Sequence, residues 1–398
     1  MSGEFREFEK KIAKLMVSGR LEEAEKEVRG YLERNPDDEK AIETLAKVLA
    51  SMAKHEEALK IVDKALKRGL EAPELLAQKA IILWQIGDRE EARKLADKAY
   101  SMDPSNPRVV EVLASFIEEE NAGMALEMLN EALKRNPDNV DLLTRKSEIL
   151  RFKMNRLDEA ERILKGILKR DRDPLALYVM ATIHYARKEL KKALKLLDEA
   201  VAKDPANPTF WFMRGEVIWR FDRWEDALEC AERALMLKPD FVEAWILKAE
   251  MLYALKRFDE ALEAIDRAIQ LKPENTRALT IKGLIFETLG RYDEAKALYE
   301  RALEINPNDP SILRDLARLY RKLGDYDRAL EYMDMAEALG EGEYNPDFWL
   351  GKGELMETLG RYDEALACYE RGLMLSGEDE RYIRLFTEAI ERLRRKGR

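Results

Sequence analysis

Prolines recur at a constant interval in the middle of this chain. Pro205, Pro239, Pro273 and Pro307 lie 34 residues apart. Each is followed by an apolar stretch with helical periodicity, a turn, and a second helical stretch that opens on a block such as YDEA. A fixed period of this length indicates stacked units that bury their apolar faces only against their neighbours. The interval therefore predicts an array of helix pairs, although 398 residues would otherwise suggest two or three globular domains.

The same register extends over most of the chain. If each proline is position 32 of a unit, eleven units cover residues 5–378, and a lone helix over 379–398 follows them. We expect that helix to cap the last unit, because terminal repeats need a polar outer surface. The sequence EENA at 119–122 predicts an irregular turn in the fourth unit, and Gly340 to Asn345 predicts a longer loop in the tenth. The units start at Phe5, Glu39, Pro73, Asn106, Val140, Pro174, Pro208, Val242, Thr276, Pro310 and Pro346.

A small residue recurs in every second helix of the pairs. An alanine at this position lets the two helices approach closely, and larger apolar side chains fill the remaining space. Asn207 and Asp309 each precede a proline, which favours a capping side chain next to Pro at the first helical position. Gly290 and Gly324 suit the left-handed residue that ends a first helix, and Asp293 is expected to cap the second helix that follows. The recurring alanines are Ala24, Ala58, Ala92, Ala125, Ala160, Ala193, Ala227, Ala261, Ala295, Ala329 and Ala365.

These positions resemble the tetratricopeptide repeat family, whose pattern places Trp, Gly, Tyr, Ala, an aromatic residue, Ala and Pro at fixed offsets. Trp211, Trp245 and Trp349 occupy the family's Trp position. The resemblance implies an all-α fold, a right-handed superhelical solenoid of about eleven helix–turn–helix repeats plus a C-terminal capping helix. It also implies a scaffold that binds a protein or peptide partner in a concave groove, and not an enzyme. The unit from Thr276 matches closely, with Gly283, Phe286, Gly290, Tyr292, Ala295, Tyr299, Ala302 and Pro307.

Charge and cysteine content argue against several other classes of protein. The formal net charge is −10, which opposes attraction to nucleic acid and to anionic lipid. Cys230 and Cys368 are the only cysteines, so neither a disulfide framework nor a CxxC zinc site is available. No secretory signal and no membrane span are evident, so we expect a cytoplasmic protein with no membrane partner and no cofactor. Three glutamines among abundant Glu, Lys and Arg favour a thermophilic source.

The candidate catalytic residues have structural explanations. His55 begins HEEAL, which lacks the second histidine of a metalloprotease motif, and His184 falls at a first-helix position usually held by a core aromatic residue. The sequence GKG at 351–353 looks like part of a phosphate loop, but it lies inside a predicted helix where Gly353 takes the family's small position. Acidic pairs such as Asp293-Glu294 recur at helix starts, where they complement the helix dipole. We predict no catalytic residue and no metal site.

The resemblance also points to a binding surface. In the family, positions 2, 5, 9, 12 and 13 of each unit face the groove, and these offsets place large aromatic side chains on one strip of the sixth, seventh and eighth units. Exposed rings are costly and binding hot spots favour Trp, Tyr and Arg, so we predict partner binding there. The alternative is that the rings pack sideways between first helices. The strip comprises Tyr178, Tyr185, Phe212, Trp219, Arg220, Ile246 and Tyr253, and a weaker candidate comprises Ile81, Trp84 and Gln85.

A second candidate surface is cationic. By charge alone it predicts a site for an anionic ligand or an acidic peptide. Some relatives bind a peptide C-terminal carboxylate through Lys and Asn residues, but the paired asparagines are missing here. The alternative is that Glu354 and Glu357 of the next unit neutralise the basic residues. This strip comprises Arg314, Arg318, Arg321 and Lys322, all at groove offsets of the tenth unit.

Three functions remain open at this point. The leading hypothesis is a scaffold that holds an extended or helical segment of a partner protein in the groove. The second is self-assembly into a homo-oligomer, in which the C-terminal helix docks on a neighbouring copy. The third is RNA binding by a related helical-repeat logic, which the acidic balance opposes. The C-terminal helix carries Arg394, Arg395, Lys396 and Arg398.

Overall fold

The computed structural model describes residues 3–70, 72–343, 345–377 and 379–396, and the side chains of residues 8–395 within these ranges. The regular elements in these ranges are all helices. Tyr344 of the expected loop and Arg398 lie outside the described residues, as do the side chains of Phe5 and Lys396. The chain divides into two compact units, Met1–Arg223 and Trp224–Arg398, and each is described by itself.

The first compact unit contains thirteen α-helices and one π-helical turn within the described ranges. They are α1 (Gly3–Val17), α2 (Leu21–Arg34), α3 (Glu39–Ser51), α4 (His55–Lys67), α5 (Pro73–Gln85), α6 (Arg89–Met102), α7 (Pro107–Ile117), α8 (Ala122–Arg135), α9 (Val140–Glu148), the π turn (Ile149–Lys153), α10 (Leu157–Arg170), α11 (Pro174–Ala186), α12 (Leu190–Lys203) and α13 (Pro208–Trp219).

The second compact unit contains ten α-helices within the described ranges. They are α14 (Trp224–Leu237), α15 (Val242–Ala254), α16 (Phe258–Leu271), α17 (Thr276–Thr288), α18 (Tyr292–Ile305), α19 (Pro310–Leu323), α20 (Tyr326–Ala338), α21 (Pro346–Thr358), α22 (Tyr362–Leu375) and α23 (Glu380–Lys396).

Successive helices pack in an alternating order inside each compact unit. Each second helix, such as α4 or α16, contacts the first helix of its own pair and the first helix of the next pair. The first helices α3, α5, α7, α9 and α11 also contact one another in succession, and so do α15, α17, α19 and α21. This order is that of a helical-repeat solenoid. We use the term first-helix face for positions 2, 5, 9, 12 and 13 counted from the start of each first helix.

The small residues sit where helices approach most closely. All eleven predicted alanines are fully buried, which confirms the packing argument. Glycine serves the same purpose in two first helices: a Cβ on Gly283 would lie 2.6 Å from Tyr299 Cε1, and a Cβ on Gly353 would lie 2.3 Å from Tyr369 Cε1. An aromatic ring therefore rests directly on each helix backbone, and Gly353 is explained by packing.

The ends of first helices follow the expected chemistry, whereas the second helices α10, α16, α18 and α22 have no side-chain cap from the expected aspartates. The carboxylate of Asp309 accepts a hydrogen bond from the Ser311 amide at 2.9 Å, and Gly290 and Gly324 have φ angles of +75° and +81°, so these predictions are confirmed. The expectation that Asp293 caps α18 is wrong. The N-cap of α18 is Arg291, without a side-chain cap, and its Nε donates instead to Glu294 Oε1 at 2.9 Å. Asp293 lies in the first turn, where its charge complements the helix dipole.

Three pairs depart from the regular pattern. Helix α7 begins at Pro107, one residue later than expected, because Asn106 is its N-cap. Helix α9 continues into the π turn over Ile149–Lys153, which the sequence pattern did not predict. Between α20 and α21, the indole Nε1 of Trp349 donates to the carbonyl oxygen of Gly342 at 2.7 Å, so a buried ring fixes the described part of the longer loop.

Candidate functional site

Polar side chains tie α11 to α13, α15 to α17, α17 to α19 and α19 to α21 along the first-helix face. The side chain at position 12 bonds repeatedly to position 9 or 13 of the following first helix. The bonded residues are separated by 31 to 35 residues in sequence, close to one repeat period. Much of the polar surface predicted to meet a partner therefore stabilises the stack. The tied pairs are Tyr185 with Arg220, Tyr253 with Thr288, Glu287 with Arg318 and Lys322, and Arg321 with Glu354.

Arg220 connects two aromatic rings of the predicted strip. Its guanidinium carbon lies 4.0 Å from the centre of the Trp219 ring. Its Nε and Nη2 donate to the Tyr185 hydroxyl at 3.2 and 3.1 Å. Arg220 is exposed and both rings are partly buried. These three residues, at the C-terminal ends of α11 and α13, form an open group that we name the Trp219 cluster.

Tyr178 is more deeply buried than a residue of an open binding surface should be. Its ring centre lies 5.4 Å from that of the buried Phe210 and 6.4 Å from that of Phe152. Burial, together with the nearby charge of Glu148, raises the pKa of Tyr178 to about 12. The ring thus packs sideways between neighbouring first helices, as in the alternative interpretation. Phe212, on α13, is partly buried.

The two remaining residues of the strip belong to the second compact unit. Ile246 is only 2% exposed, so its place on an open binding surface is corrected. The physical reason is that α15 is apolar on most of its sides, and such helices are enclosed by their neighbours. Tyr253 is partly buried. Its hydroxyl is 2.9 Å from Thr288 Oγ1, and its ring centre is 5.8 Å from that of Phe258.

The cationic strip surrounds a buried carboxylate. The Glu287 side chain is 1% exposed. It accepts hydrogen bonds from Arg318 Nε at 3.1 Å, Arg318 Nη2 at 3.0 Å and the Tyr299 hydroxyl at 2.9 Å, and Lys322 Nζ lies 2.8 Å away. Burial opposes ionisation of Glu287, but Arg318 and Lys322 outweigh it and hold its pKa below the ordinary value. Arg318 and Lys322 therefore neutralise a buried carboxylate of the chain itself.

The other two arginines of the strip are also paired. Arg314 Nη1 bonds to Glu341, and Arg321 Nη1 donates to Glu354 Oε2 at 2.5 Å. Arg318 has a second partner, since its Nη1 donates to Asp315 Oδ1 at 2.6 Å. This pairing favours the alternative interpretation. Glu354 takes the expected part in it, whereas Glu357 bonds to Arg392 of α23.

The weaker aromatic candidate is a packed pair. The Trp84 ring stacks on Phe116 at a centroid distance of 4.2 Å and an angle of 5°. The Arg89 guanidinium lies 5.2 Å from the centre of the Trp84 ring. Ile81 is partly buried and Gln85 is exposed. Trp84 thus ties α5 to α7. The sequence could have predicted this contact, because the repeat places Phe116 opposite Trp84.

The two histidines lie on separate helices, α4 and α11. His184 Nδ1 lies 2.6 Å from Glu189 Oε2, which links the end of α11 to the turn before α12. His55 is the first residue of α4. Within the described residues, no group of three or more His, Cys, Asp or Glu side chains is placed to hold a metal ion. Among the described helices, none has the length and apolar character needed to span a bilayer.

Sequence reasoning missed one group of charged residues. Glu118, Arg145 and Glu148 line a cleft beside the π turn in the first compact unit. None of them occupies an aromatic or uniformly basic run, so composition did not draw attention to them. Glu118 and Glu148 nevertheless fall at positions 12 and 9 of consecutive first helices, once α7 is counted from Pro107. The repeat spacing that predicts the ties could have brought them together.

Comparisons with known proteins define the class and then the family. Stacked helix pairs with an open first-helix face define a helical-repeat interaction scaffold. Models of the tetratricopeptide repeat match residues 116–183, 152–217 and 288–340, residues 212–276 and 257–310, and residues 346–379. A model of the N-terminal TPR repeats region of Psidin matches residues 53–147. The chain belongs to the tetratricopeptide repeat family, whose members are generally protein-interaction scaffolds.

One of two similar solved structures supports the same fold. A tetratricopeptide repeat protein from Parabacteroides merdae ATCC 43184 is similar over 62% of this chain and 97% of its own, with a TM-score of 0.53 and 19% sequence identity. MamA is similar over 41% of this chain and 96% of its own, with a TM-score of 0.35 and 21% identity. No curated protein shows significant sequence similarity to the chain.

Proposed function

We propose that this chain is a scaffold that holds a segment of a partner protein against its first-helix face, with the Trp219 cluster as an anchor. The geometry of that cluster carries the proposal. Arg220 lies over Trp219 and donates two hydrogen bonds to the Tyr185 hydroxyl, while remaining exposed itself. Trp, Tyr and Arg are the residues most enriched at binding hot spots. Among the predicted strip residues, these three combine contact with one another and access to solvent.

The cluster is arranged before a partner arrives. Cation–π contact and hydrogen bonds already restrain the long Arg220 side chain and the Tyr185 ring. Binding usually costs about 0.5–1.5 kcal/mol for each flexible side chain that becomes immobilised. Because this ordering has largely taken place in the free chain, a partner's contacts with the cluster contribute more fully to affinity. Phe212, which lies on the same helix as Trp219, then acts as supporting surface beside the cluster.

We also propose that residues 5–378 form an array of eleven units and that α23 caps it. Helix α23 occupies the place of a further first helix after α22. Arg392 Nη2 donates to Glu357 Oε2 at 2.8 Å, and the Tyr382 hydroxyl donates to Asp347 Oδ2 at 2.6 Å. The Arg392 bond repeats the tie from position 12 of one first helix to position 13 of the next. The exposed side of α23 carries ion pairs within the helix, such as Arg384 with Glu388, and this polar surface suits the end of an array.

Replacing Trp219 with alanine should weaken partner binding without unfolding the chain. The probe is a peptide selected from a random displayed library against the full-length chain, and its affinity is measured by calorimetry. Loss of a hot-spot tryptophan costs about 2 kcal/mol or more, which corresponds to roughly a 30-fold weaker affinity. Tyr185→Phe should have a smaller effect of the same sign, because it removes the acceptor of Arg220.

Trp211→Ala is the matched control. Trp211 lies on the same helix, but its indole Nε1 donates to the Pro205 carbonyl oxygen at 2.8 Å and so fixes the preceding loop. We expect this variant to lose some stability and to keep its affinity for the probe. Equal affinity in Trp219→Ala and the unmodified chain, with circular dichroism unchanged, would remove the cluster from the proposed function.

A further inference from the structure

A cleft beside the π turn combines carboxylates with aromatic rings. It has a volume of about 300 Å³ and lies in the first compact unit. Its residues come from the end of α7, from α9 with its π turn, and from α11. Among the described first helices, only α9 continues into a π turn, and such turns often mark functional sites. The residues that matter to the argument are Glu118, Arg145, Glu148, Phe152, Lys153 and Tyr178.

The two carboxylates of this π-turn cleft share one guanidinium. Arg145 Nη1 lies 3.0 Å from Glu148 Oε2 and 3.7 Å from Glu118 Oε2. Within the described residues, neither Oε2 atom accepts a hydrogen bond of good geometry. Lys153 is directed elsewhere, because its Nζ donates to Glu119 Oε1 at 2.5 Å. In the part of the chain that the structure describes, two buried carboxylate oxygens of the cleft thus lack a hydrogen-bond donor, and Nε of Arg145 and Nε of Arg151 lack an acceptor.

The electrostatic environment also favours an additional cation. Burial raises the pKa of Glu148 to about 7, and although Arg145 opposes this shift, the charges of Glu118, Glu111 and Asp173 add to it. The pKa of Glu118 is raised as well, chiefly by burial. Both carboxyl groups therefore lie where burial penalises their ionised form, although Arg145 and Lys153 also line the cleft. A bound cation would lower both pKa values, since an opposite charge stabilises the ionised carboxylate.

The rings supply an apolar flank next to these carboxylates. The π turn leaves Phe152 exposed at 47%, and its ring centre is 6.4 Å from that of Tyr178 with an angle of 31° between the planes. The Arg151 guanidinium already lies 5.2 Å from the centre of the Phe152 ring, although burial lowers the pKa of Arg151. Alkyl stems of lysine pack readily on such surfaces while the ammonium group remains at a polar end.

We propose that the π-turn cleft binds the ammonium group of a lysine side chain on the partner segment. Glu118 and Glu148 accept its hydrogen bonds, and Phe152 and Tyr178 pack along its stem. The inference rests on the proposed function, because the lysine belongs to the partner that the first-helix face holds. The cleft adds a requirement on the partner's sequence, a basic residue, that the Trp219 cluster does not impose.

The test uses an amidated acetyl-Gly-Lys-Gly peptide, its norleucine analogue and butylamine with the full-length chain. We expect the lysine peptide to bind at least about 10-fold more tightly than the norleucine peptide, since loss of a charge-assisted hydrogen bond costs at least a factor of this size. Calorimetry at pH 7 in two buffers of different ionisation enthalpy should show proton release, because burial raises the pKa of Glu148 to about 7 and a bound ammonium group lowers it.

Glu148→Gln and Glu127→Gln form a matched pair of variants. Both remove one carboxylate, but Glu127 is exposed on α8 outside the cleft. Only Glu148→Gln should abolish the preference for lysine and the proton release, and it should fold because it removes charge and keeps volume. Equal binding of the lysine and norleucine peptides, or equal effects of the two variants, overturns the proposal. So does butylamine binding as tightly as the lysine peptide, because the ligand is then a small amine.

The outcome is separable from that of the proposed function. If the lysine peptide fails while Trp219→Ala still weakens the selected peptide, only the lysine site is lost. If Trp219→Ala has no effect while the lysine peptide binds as expected, the anchor at the Trp219 cluster is lost and the cleft remains.

Discussion

Replacing Glu287 with glutamine should lower the free energy of unfolding by about 3 kcal/mol, because breaking one side of a buried ion pair leaves the other side uncompensated. Glu287 is almost fully buried and receives Arg318, Lys322 and the Tyr299 hydroxyl. Glutamine keeps the volume of the side chain but removes its charge. Since repeat arrays often unfold in several steps, amide hydrogen exchange in α17 and α19 gives the local free energy.

Glu287 should also determine how the free energy of unfolding falls at acidic pH. The pKa of Glu287 is lowered in the folded chain from its ordinary value of 4.5. Its contribution to the free energy of unfolding is therefore present above about pH 4.5. The contribution is lost as the pH falls through the pKa that Glu287 has in the folded chain. Glu287→Gln should flatten this part of the stability curve.

Glu354→Gln is the matched control for this prediction. Glu354 makes the same kind of tie to Arg321, but its side chain is 47% exposed. Surface pairs of this kind contribute less than about 1 kcal/mol. Equal losses in the two variants would show that the burial of Glu287 does not govern the stability of this region.

Replacing Phe386 with alanine should lower the local stability of α22 and α23 by about 4 kcal/mol, because it removes a large, fully buried ring. Phe386 lies against Gly372 so closely that a Cβ there would be 2.2 Å from Phe386 Cζ. Its ring centre is 6.4 Å from that of Tyr369. The contact holds α23 on the last helix pair of its own chain. Hydrogen exchange of α22 amides measures the loss.

Ile383→Ala is the control on the same helix, where the side chain is 37% exposed and its loss should cost less than about 1 kcal/mol. Analytical ultracentrifugation separates capping from self-assembly through α23. A Phe386→Ala variant with unchanged exchange in α22 but a smaller assembly would show that α23 docks on a neighbouring copy. We expect lower stability and no change in assembly size.

The regular part of the fold follows from the sequence because few residue types satisfy its constraints. A residue such as Ala295 must be small, since two helix axes cross there. The positive φ of Gly290 restricts residue type less, because Lys256 adopts it one period earlier. These requirements recur every 34 residues, so one period predicts the whole array. The start of α7 was misplaced by one residue, because Asn106 serves as a cap in the position that the period assigns to the helix.

The burial of individual side chains on the first-helix face was harder to predict. A repeat offset fixes the direction of a side chain but not how far its neighbours enclose it. Tyr178 is covered because the next first helix supplies Phe210, and Ile246 is covered because α15 is apolar on most sides. The π turn was missed because one extra residue in a turn barely alters helical periodicity over a short stretch. Pairings such as Glu287 with Arg318 were accessible in principle, since repeat spacing places them opposite each other.

We propose that a partner segment binds the first-helix face at the Trp219 cluster. The most direct test is hydrogen–deuterium exchange of the full-length chain with and without the library-selected peptide. We expect the peptide to slow amide exchange at residues 183–187 and 217–221, where α11 and α13 end. We expect little change of exchange in α12. Protection confined to second helices, with the ends of α11 and α13 unchanged, would contradict the proposal.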